Sequence, residues 1–199
     1  AITQITGTAA NVVSVYSGGI IGLGNKTIVI SDTTLPVGTF TSTIANNHTI
    51  SININTVTKL TGTFAEMQQF ASDQSNYINK TNIVSAVLDT GAVGDAGDLH
   101  ILHDNLRNSN NGFSSTLINL SNVTSITGSF DELNALVITA NVTPVSISNL
   151  LTDANKNFIL SETTTISNFI SLDNAISGTV SAQSDLELTG YGTADNIVH

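Results

Sequence analysis

An Asp-Thr-Gly tripeptide is the most suggestive chemical feature of this chain. Asp89-Thr90-Gly91 stands in the stretch "AVLDTGAV", directly after two apolar residues. Aspartic proteases carry a catalytic aspartate in such a setting and need two carboxylates that share one proton. The tripeptide occurs once in the chain, so a protease would have to take the second carboxylate from another copy. The following residues predict a glycine turn and then a helix. This favours a structural role for the aspartate over a catalytic one.

Three aspartates in this region form an acidic, glycine-rich cluster. Asp89, Asp95 and Asp98 are interspersed with glycines. Oxygen ligands on a flexible loop suit a hard cation, so these three residues are the predicted metal ligands and calcium is the predicted ion. The residue order of an EF-hand loop is absent. The structural alternative is a solvated loop in which Asp98 is the N-cap of a helix.

Two histidines follow at helical spacing. His100 and His103 would lie on one face of a helix, but no glutamate stands between them as in a zinc-protease motif. Leucines at positions 99, 102 and 106 share the face of His103, which predicts a packed histidine. The run "GGIIGLGNKT" departs from a phosphate-binding loop, because Asn25 separates Gly24 from Lys26. We predict no catalytic residue and no cofactor other than calcium.

An internal repeat organises the elements that carry these residues. "ITQITGT" at 2–8 returns as "VTKLTGT" at 57–63 and "VTSITGS" at 123–129, and a looser copy, "LELTGYGT", occupies 186–193. The apolar residues before each glycine predict a short strand, and the glycine permits a sharp turn. We call this apolar-Thr-any-apolar-Thr-Gly-hydroxyl pattern the repeat frame.

A capped helix is predicted after each glycine. Thr63 with Glu66, and Ser129 with Glu132, have the spacing of a capping box. Apolar residues then recur at helical spacing in each copy. They are Ala9, Val12, Val13 and Tyr16; Phe64, Met67 and Ala71; and Phe130, Leu133 and Val137.

A second predicted strand ends in Asp-Thr. "TIVISDTT" contains Asp32 and "NIVSAVLDTG" contains Asp89, so we interpret Asp89-Thr90 as the second copy of Asp32-Thr33. "VSISN" takes the corresponding place in the third copy, with Asn149 in place of the aspartate. An aspartate at this point is expected to cap the turn or helix that follows it.

The predicted fold class is α/β, a repeat-built, solenoid-like stack of short strands and capped helices. It contains about three and a half units of ~60 residues, and each unit is compatible with two half-units of ~30. Parallel strands and right-handed crossovers are expected. The chain is predicted to be a single repeat-built domain, with repeats at 2–56, 57–122 and 123–184 and a partial repeat at 185–199.

The composition narrows the function. The chain has 199 residues, no cysteine and a formal net charge of −10. Such a charge disfavours nucleic acid as a partner, and no apolar run is long enough to span a membrane. Charged residues make up only 10%, whereas Asn, Ser and Thr supply more than a third of the chain. A neutral polar surface of this kind favours lateral protein contact and is typical of secreted or cell-surface proteins.

Two segments carry a resemblance to a known class of proteins. "LDNAISGTVSAQSDLELTGYGTADNIV", taken with "GIIGLGNKTIVISDTTL", resembles the repeats of very long repeat-rich proteins of marine cyanobacteria and similar bacteria. Residues 90–115 depart most from those repeats. The resemblance implies a cell-surface or secreted protein, such as an adhesin or matrix component, and it carries no catalytic residues.

These observations predict a non-enzymatic extracellular structural protein. Because the repeat frame occurs near both ends, we expect head-to-tail assembly of copies into a filament or surface matrix, through residues 2–13 and 185–198. The alternatives are a segment of a giant surface adhesin, a phage tail-fibre or capsid-decoration protein, and a hydrolase. The predicted interface residues are Ile2, Ile5, Val12, Leu186, Leu188 and Ile197.

Overall fold

The computed structural model describes residues 2–20, 23, 26–45, 51–113, 116–141, 146–184, 186 and 188–189. These residues form six α-helices and fifteen short strands. The helices are α1 (Ala9–Ser17), α2 (Val37–Phe40), α3 (Phe64–Ser72), α4 (Ala96–Arg107), α5 (Phe130–Ala140) and α6 (Ile166–Ala175). The strands are β1 (Gln4–Gly7), β2 (Thr27–Ile30), β3 (Thr34–Pro36), β4 (Ile52–Asn53), β5 (Lys59–Gly62), β6 (Tyr77–Ile78), β7 (Ser85–Leu88), β8 (Ala92–Val93), β9 (Leu117–Asn119), β10 (Ser125–Gly128), β11 (Ile147–Ser148), β12 (Asn157–Leu160), β13 (Thr164–Thr165), β14 (Thr179–Ala182) and β15 (Leu188–Thr189).

The chain forms two compact units. Unit 1 comprises Ala1–Thr90 with Leu102–Asn119, and unit 2 comprises Gly91–Ile101 with Leu120–His199. Helix α4 contributes residues to both. The division therefore cuts across the predicted second repeat rather than following the predicted repeat boundaries.

Unit 1 contains two rows of parallel strands. One has the order β1, β2, β4, β6, and the other the order β9, β7, β5, β3. Apolar side chains of these strands are fully buried, among them Ile28, Ile52 and Leu60. An aromatic cluster extends the core, with the Phe70 and Tyr77 ring centroids 4.5 Å apart. Burial of strand side chains in this way is typical of parallel sheets covered by helices.

Unit 2 follows the same plan. Its larger sheet has the order β14, β12, β10, β8, and β13 pairs with β15 in a two-stranded sheet. All described pairings in both units are parallel, and each strand pairs with one that lies about one predicted half-unit further along the chain. The predicted α/β class with parallel strands is thus confirmed.

The predicted helix starts after Gly7, Gly62 and Gly128 are also confirmed, whereas the one after Gly190 lies outside the described residues. Thr63 and Ser129 each accept a hydrogen bond from the backbone N–H of the glutamate three residues later, and each glutamate side chain accepts from the cap's own N–H. Thr8 caps α1 by accepting from the N–H of Asn11 at 3.2 Å. Local sequence decides these ends because the cap and its partner are only three residues apart.

The glycines of the repeat frame allow a strand and a helix start to lie close together. A Cβ at Gly62 would be 3.0 Å from Val37 Cγ2, and a Cβ at Gly128 would be 2.6 Å from Ala96 Cβ. Val37 and Ala96 are the first residues of α2 and α4. A neighbouring segment therefore restricts the residue at positions 62 and 128. Neither glycine has a positive φ, and each is the last residue of a strand, so the predicted sharp turn is not what requires glycine there.

The predicted third copy of the Asp-Thr strand was wrong. Gly7 lies opposite Ile30 and Gly62 opposite Leu88, and the third glycine, Gly128, lies opposite Leu160. The third copy is thus the segment "NFILSETT" at 157–164, and not "VSISN". The segment between β10 and β12 is longer than those between β1 and β2 and between β5 and β7, so a constant spacing placed the strand too early.

The same strand register shows that Asp32 and Asp89 do not occupy equivalent positions. Ser31 and Asp89 each follow the residue opposite a frame glycine, and their N–H groups donate to Gly7 and Gly62 respectively. Asp89 therefore corresponds to Ser31, and Thr90 corresponds to Asp32. The interpretation of Asp89-Thr90 as a copy of Asp32-Thr33 is wrong by one residue. A shift of one residue matters because successive strand side chains point to opposite faces.

No helix among the described residues is long and apolar enough to cross a membrane.

Candidate functional site

Asp89 lies at the exposed end of β7. Its backbone N–H donates to the Gly62 carbonyl at 2.7 Å, which extends the parallel ladder between β7 and β5 by one bond. Its neighbours in unit 1 are parallel strands, with β5 on one side of β7 and β9 on the other. An aspartic protease instead presents its aspartates from an all-β framework. The surroundings of Asp89 thus match the end of a parallel strand.

Asp32 caps a helix, but a different helix from the one expected. Its Oδ2 accepts the N–H of Ala9, the first residue of α1, at 2.6 Å. Because β2 lies beside β1, the aspartate after β2 reaches the helix that follows β1. The cap therefore acts on a preceding helix, and the expectation of a cap on the following segment is wrong for Asp32. A carboxylate at a helix N-terminus also interacts favourably with the helix dipole.

Asp95, and not Asp98, is the cap of α4. Its Oδ1 accepts the N–H of Asp98 at 3.0 Å, and the helix begins at Ala96. Asp98 therefore lies inside the first turn. Calcium binding by Asp89, Asp95 and Asp98 stays a prediction.

One group of three His, Asp or Glu residues in the described part of the chain could hold a metal ion. On α4, His100 lies about one turn before the adjacent residues His103 and Asp104, and one ligand atom of each lies within 4.8 Å of the others. His103 Nδ1 lies 2.9 Å from Asp104 Oδ1, and Thr139 Oγ1 lies 3.4 Å from His100 Nδ1. His103 is 8% exposed, as expected for a packed histidine. Imidazole and carboxylate donors of this kind suit a borderline metal such as zinc.

The structure contains two buried lysines that were not predicted from the sequence. Lys80 in unit 1 donates to the Gln74 carbonyl at 2.7 Å, and its Nζ lies 5.2 Å from the centre of the Phe113 ring. Burial lowers the pKa of Lys80. The carbonyl and the ring together hold a cation inside an aromatic environment. No sequence motif marks this lysine, since its partners are a backbone atom and a ring on a distant segment of the chain.

Lys156 in unit 2 is almost completely buried and forms an ion pair. Its Nζ lies 2.8 Å from Asp153 Oδ2. The hydrogen bond from Lys156, aided by the N–H of Asn155, holds the pKa of Asp153 below its ordinary value. The i, i+3 spacing of the two charges was the available sequence signal. The pair anchors the turn that leads into β12.

The structure divides the predicted interface residues into exposed and buried ones. Ile2 is 60% exposed and Leu188 is 43% exposed, whereas Ile5 and Leu186 are half-buried. Val12 is a core residue of unit 1, with 1% exposure, so its side chain is not on a surface. Ile197 lies outside the described residues.

The exposure of Ile2 contrasts with its counterparts in the other repeat frames. Val57 and Val123 occupy the same position relative to the frame glycine, and their exposures are 0% and 1%. Ile5 is half-buried, whereas the equivalent Leu60 and Ile126 are fully buried. The first frame thus has apolar groups in solvent that both interior frames cover.

An apolar cavity lies next to the first frame. It has a volume of about 270 Å³ and is lined by Ala9, Ala10, Val13, Pro36 and Phe40. None of these five side chains can titrate or donate a hydrogen bond, so the cavity suits an apolar group rather than a polar substrate.

Comparisons with known proteins found no matching family model, no matching curated protein and no matching solved structure.

Proposed function

We propose that this protein is a non-enzymatic extracellular structural protein whose copies assemble end to end into a filament or surface matrix. Its units are short solenoid-like stacks, in which each turn of the chain adds a strand in parallel to the previous turn. Within each unit, this proposal is supported by the regular order in which each strand pairs in parallel with the next strand of the row. Ile28 pairs with Ile52, for example, and Ile52 pairs in turn with Tyr77. Stacks of this kind bury apolar faces against neighbouring turns.

The observation that carries the proposal is the exposure of Ile2. Val57 and Val123 hold the same frame position, and both are buried. A sequence position that is apolar in every full copy and covered in the interior ones indicates a surface that a further turn would cover. Such a turn from a second copy gives a head-to-tail contact, and repetition of that contact gives a polymer.

The composition supports this type of assembly. With only 5 Lys and Arg residues and 15 Asp and Glu residues, contact between copies removes few charges from water. The abundance of Asn, Ser and Thr provides neutral groups that can exchange hydrogen bonds with water for hydrogen bonds with a partner. The same composition supports an extracellular location.

Sedimentation velocity over a wide range of protein concentrations, with negative-stain electron microscopy of the same samples, tests the proposal. We expect species larger than the monomer that grow with concentration, and linear or matted polymers in the images. Replacement Ile2→Ser should reduce assembly because it removes apolar area from the contact. Val84→Ser is the matched control, since Val84 is 58% exposed and lies outside the repeat frame. A wild-type chain that stays monomeric throughout contradicts the proposal.

A further inference from the structure

One edge of β1 has no strand beside it in the described part of the chain. β1 pairs with β2 through the edge that β5 and β10 use for β7 and β12. On its other edge, β5 pairs with β3, and β10 pairs with β8. The two interior frames therefore show what belongs on the open edge of β1: a parallel strand that is followed, directly or after two residues, by a helix.

The open edge carries the hydrogen-bonding groups for such a neighbour. Thr58 donates its N–H to the Thr33 carbonyl at 2.9 Å and its hydroxyl to the same oxygen at 3.2 Å. Thr124 donates both groups to the Gly91 carbonyl in the same way. Thr3 holds this position in the first frame, and it is exposed.

Gly7 leaves space for the helix start that would follow that strand. A Cβ at Gly7 would meet Asn11 Cβ at 3.7 Å and Val12 Cγ2 at 3.8 Å, which are ordinary contact distances. At Gly62 and Gly128 the corresponding space is filled by Val37 and Ala96. Nothing in the described part of the chain thus restricts position 7 to glycine, whereas a Cβ would crowd Val37 at position 62 and overlap Ala96 at position 128.

Unit 2 contains a strand and helix start of the required kind. β13 leads directly into α6, whose first residue is Ile166, as β3 leads into α2. β15 pairs with β13, with Leu188 opposite Thr164 and Thr189 opposite Thr165. Because Leu188 and Thr189 belong to the fourth repeat frame, β15 lies on β13 in the register that β5 has on β3.

The fourth frame is, however, a poor match to β13, the strand with which it pairs. Leu186 replaces the threonine whose hydroxyl bonds the neighbouring strand, and Asp185 replaces the apolar residue before it. Leu188 is 43% exposed, whereas the equivalent Leu60 and Ile126 are fully buried. The strand that covers β13 within the chain therefore lacks contacts that the first frame would supply.

We propose that the first frame of one copy, residues 2–7, displaces β15 of a second copy and pairs in parallel with its β13. In this register Ile5 lies opposite Thr164 of the second copy, and Gly7 lies against Ile166. Thr3 donates to the carbonyl of Glu162. The inference rests on the proposed assembly and identifies its two contact segments and its mechanism, strand replacement.

Cysteine pairing tests the register, because the chain has no cysteine of its own. Single variants Ile5→Cys and Thr164→Cys are mixed and oxidised mildly. Opposed residues of paired parallel strands have Cα atoms about 5 Å apart, within the range of a disulfide. We expect a disulfide-linked dimer. Gln4→Cys mixed with Thr164→Cys is the control, since side chain 4 points to the other face of the strand. A dimer yield no higher than in the control overturns the inference.

A locked variant tests the displacement of β15. Thr164→Cys combined with Leu188→Cys in one chain forms an internal disulfide that holds β15 on β13. We expect the oxidised variant to remain monomeric at concentrations at which the wild type assembles, and to assemble after reduction. Equal assembly in both redox states contradicts strand replacement.

Gly7→Ala tests the proposed contact through a change in the first frame instead of in β13 or β15. The variant should melt like the wild type, because the added methyl group meets only ordinary contacts within the chain. In the assembly that methyl group meets Ile166, so the concentration needed for assembly should rise about tenfold or more. Gly94→Ala is the control, since a Cβ there has no neighbour within 4 Å.

The outcomes separate this inference from the proposed function. If the wild type assembles and the locked and Gly7→Ala variants assemble equally well, the inference fails and end-to-end assembly stands. If the wild type remains monomeric and the mixed cysteine variants do not crosslink, both fail.

Discussion

At the residue scale, Asp32 shows how one carboxylate links two neighbouring strands and helices, since it follows β2 and caps the helix that follows β1. Its Oδ2 accepts the N–H of Ala9 at 2.6 Å, across 23 residues of sequence. Thr8 caps the same helix from within its own turn, by accepting from Asn11. α1 thus has one local and one distant cap, and only the local one can be recognised from sequence spacing.

Asp32→Asn should destabilise the chain by about 1 kcal/mol, because a charged acceptor at the helix N-terminus is lost. Urea denaturation followed by circular dichroism measures the change. Asp173→Asn is the matched control, since it makes the same charge change at an exposed position of α6. Equal denaturation midpoints for the two variants would contradict this role of Asp32.

The ion pair between the buried Lys156 and the partly exposed Asp153 predicts a response to acid. The pKa of Asp153 is lowered by its hydrogen bond from Lys156, so the pair contributes stability above the unfolded pKa of about 3.9. That contribution is lost as the pH falls through the lower folded pKa. We expect the urea midpoint of the wild type to fall below about pH 4, and Asp153→Asn to be less stable at pH 7 but to show a smaller fall.

Glu162→Gln is the control for this acid response, because Glu162 is exposed. The urea midpoint of this variant should fall with decreasing pH as steeply as that of the wild type. The same loss of stability in Asp153→Asn and in the wild type between neutral and acidic pH would show that the ion pair does not set the response.

At the element scale, a glycine at the end of a strand allows the start of a neighbouring helix to pack closely against it. The Cβ of Ala96 would be 2.6 Å from a Cβ at Gly128, so neither backbone can accept a larger residue without moving. The capping glutamates add a second constraint, since a Cβ at Gly97 would lie 2.9 Å from Glu132 Oε1, and a Cβ at Gly38 would overlap the Glu66 side chain. A helix with glycine in its first turn thus lies beside a helix with a capping glutamate in both units.

This alternation gives a physical reason for the long sequence period. Each strand pairs with a strand about one half-unit away along the chain, but glycine-bearing and glutamate-bearing helix starts alternate from α2 to α5. The same residue types therefore return only after two such intervals, at the period of about 60 residues that the repeat frame shows.

Gly128→Ala should destabilise unit 2 by about 1–3 kcal/mol, because the added methyl group overlaps the start of α4. Chemical denaturation measures the loss. Gly94→Ala should be close to neutral under the same conditions, since its Cβ would meet no atom within 4 Å. Tolerance of alanine at position 128 would mean that the close approach of Ala96 does not require glycine.

At the scale of the whole molecule, net charge opposes assembly. Each copy carries a formal charge of −10, and its 5 basic residues provide few cations for ion pairs with a partner. Repulsion between copies is therefore the main long-range electrostatic force, and salt screens it.

Added salt should consequently promote assembly. Raising NaCl from about 0.01 M to about 1 M shortens the screening length from about 30 Å to about 3 Å. We expect the protein concentration needed for polymer formation, measured by light scattering, to fall over this range. Potassium chloride is a control for an ion-specific effect and should act equally. Dissolution of polymers by salt would indicate contacts made mainly of ion pairs.

The sequence by itself determined the features whose partners are close along the chain. The capping boxes of Thr63 and Ser129, the strand before each full-frame glycine and the parallel α/β class all follow from spacing of a few residues or from hydrophobic periodicity. The repeat frame also marked Ile2 as equivalent to Val57 and Val123, although it could not tell which of them is exposed.

Only the tertiary structure decided the features that depend on the register between neighbouring strands. The interval between paired strands is not constant, being longer from β5 to β7 than from β1 to β2 and longer again from β10 to β12. Spacing alone therefore misaligned Asp89 with Asp32 and Asn149 with both. The target of Asp32, the burial of Lys80 and Lys156, and the close approach at the frame glycines also depend on which strands are neighbours. Hydrogen bonding and packing between strands set that register, because a shift of one residue would turn every buried side chain to the opposite face.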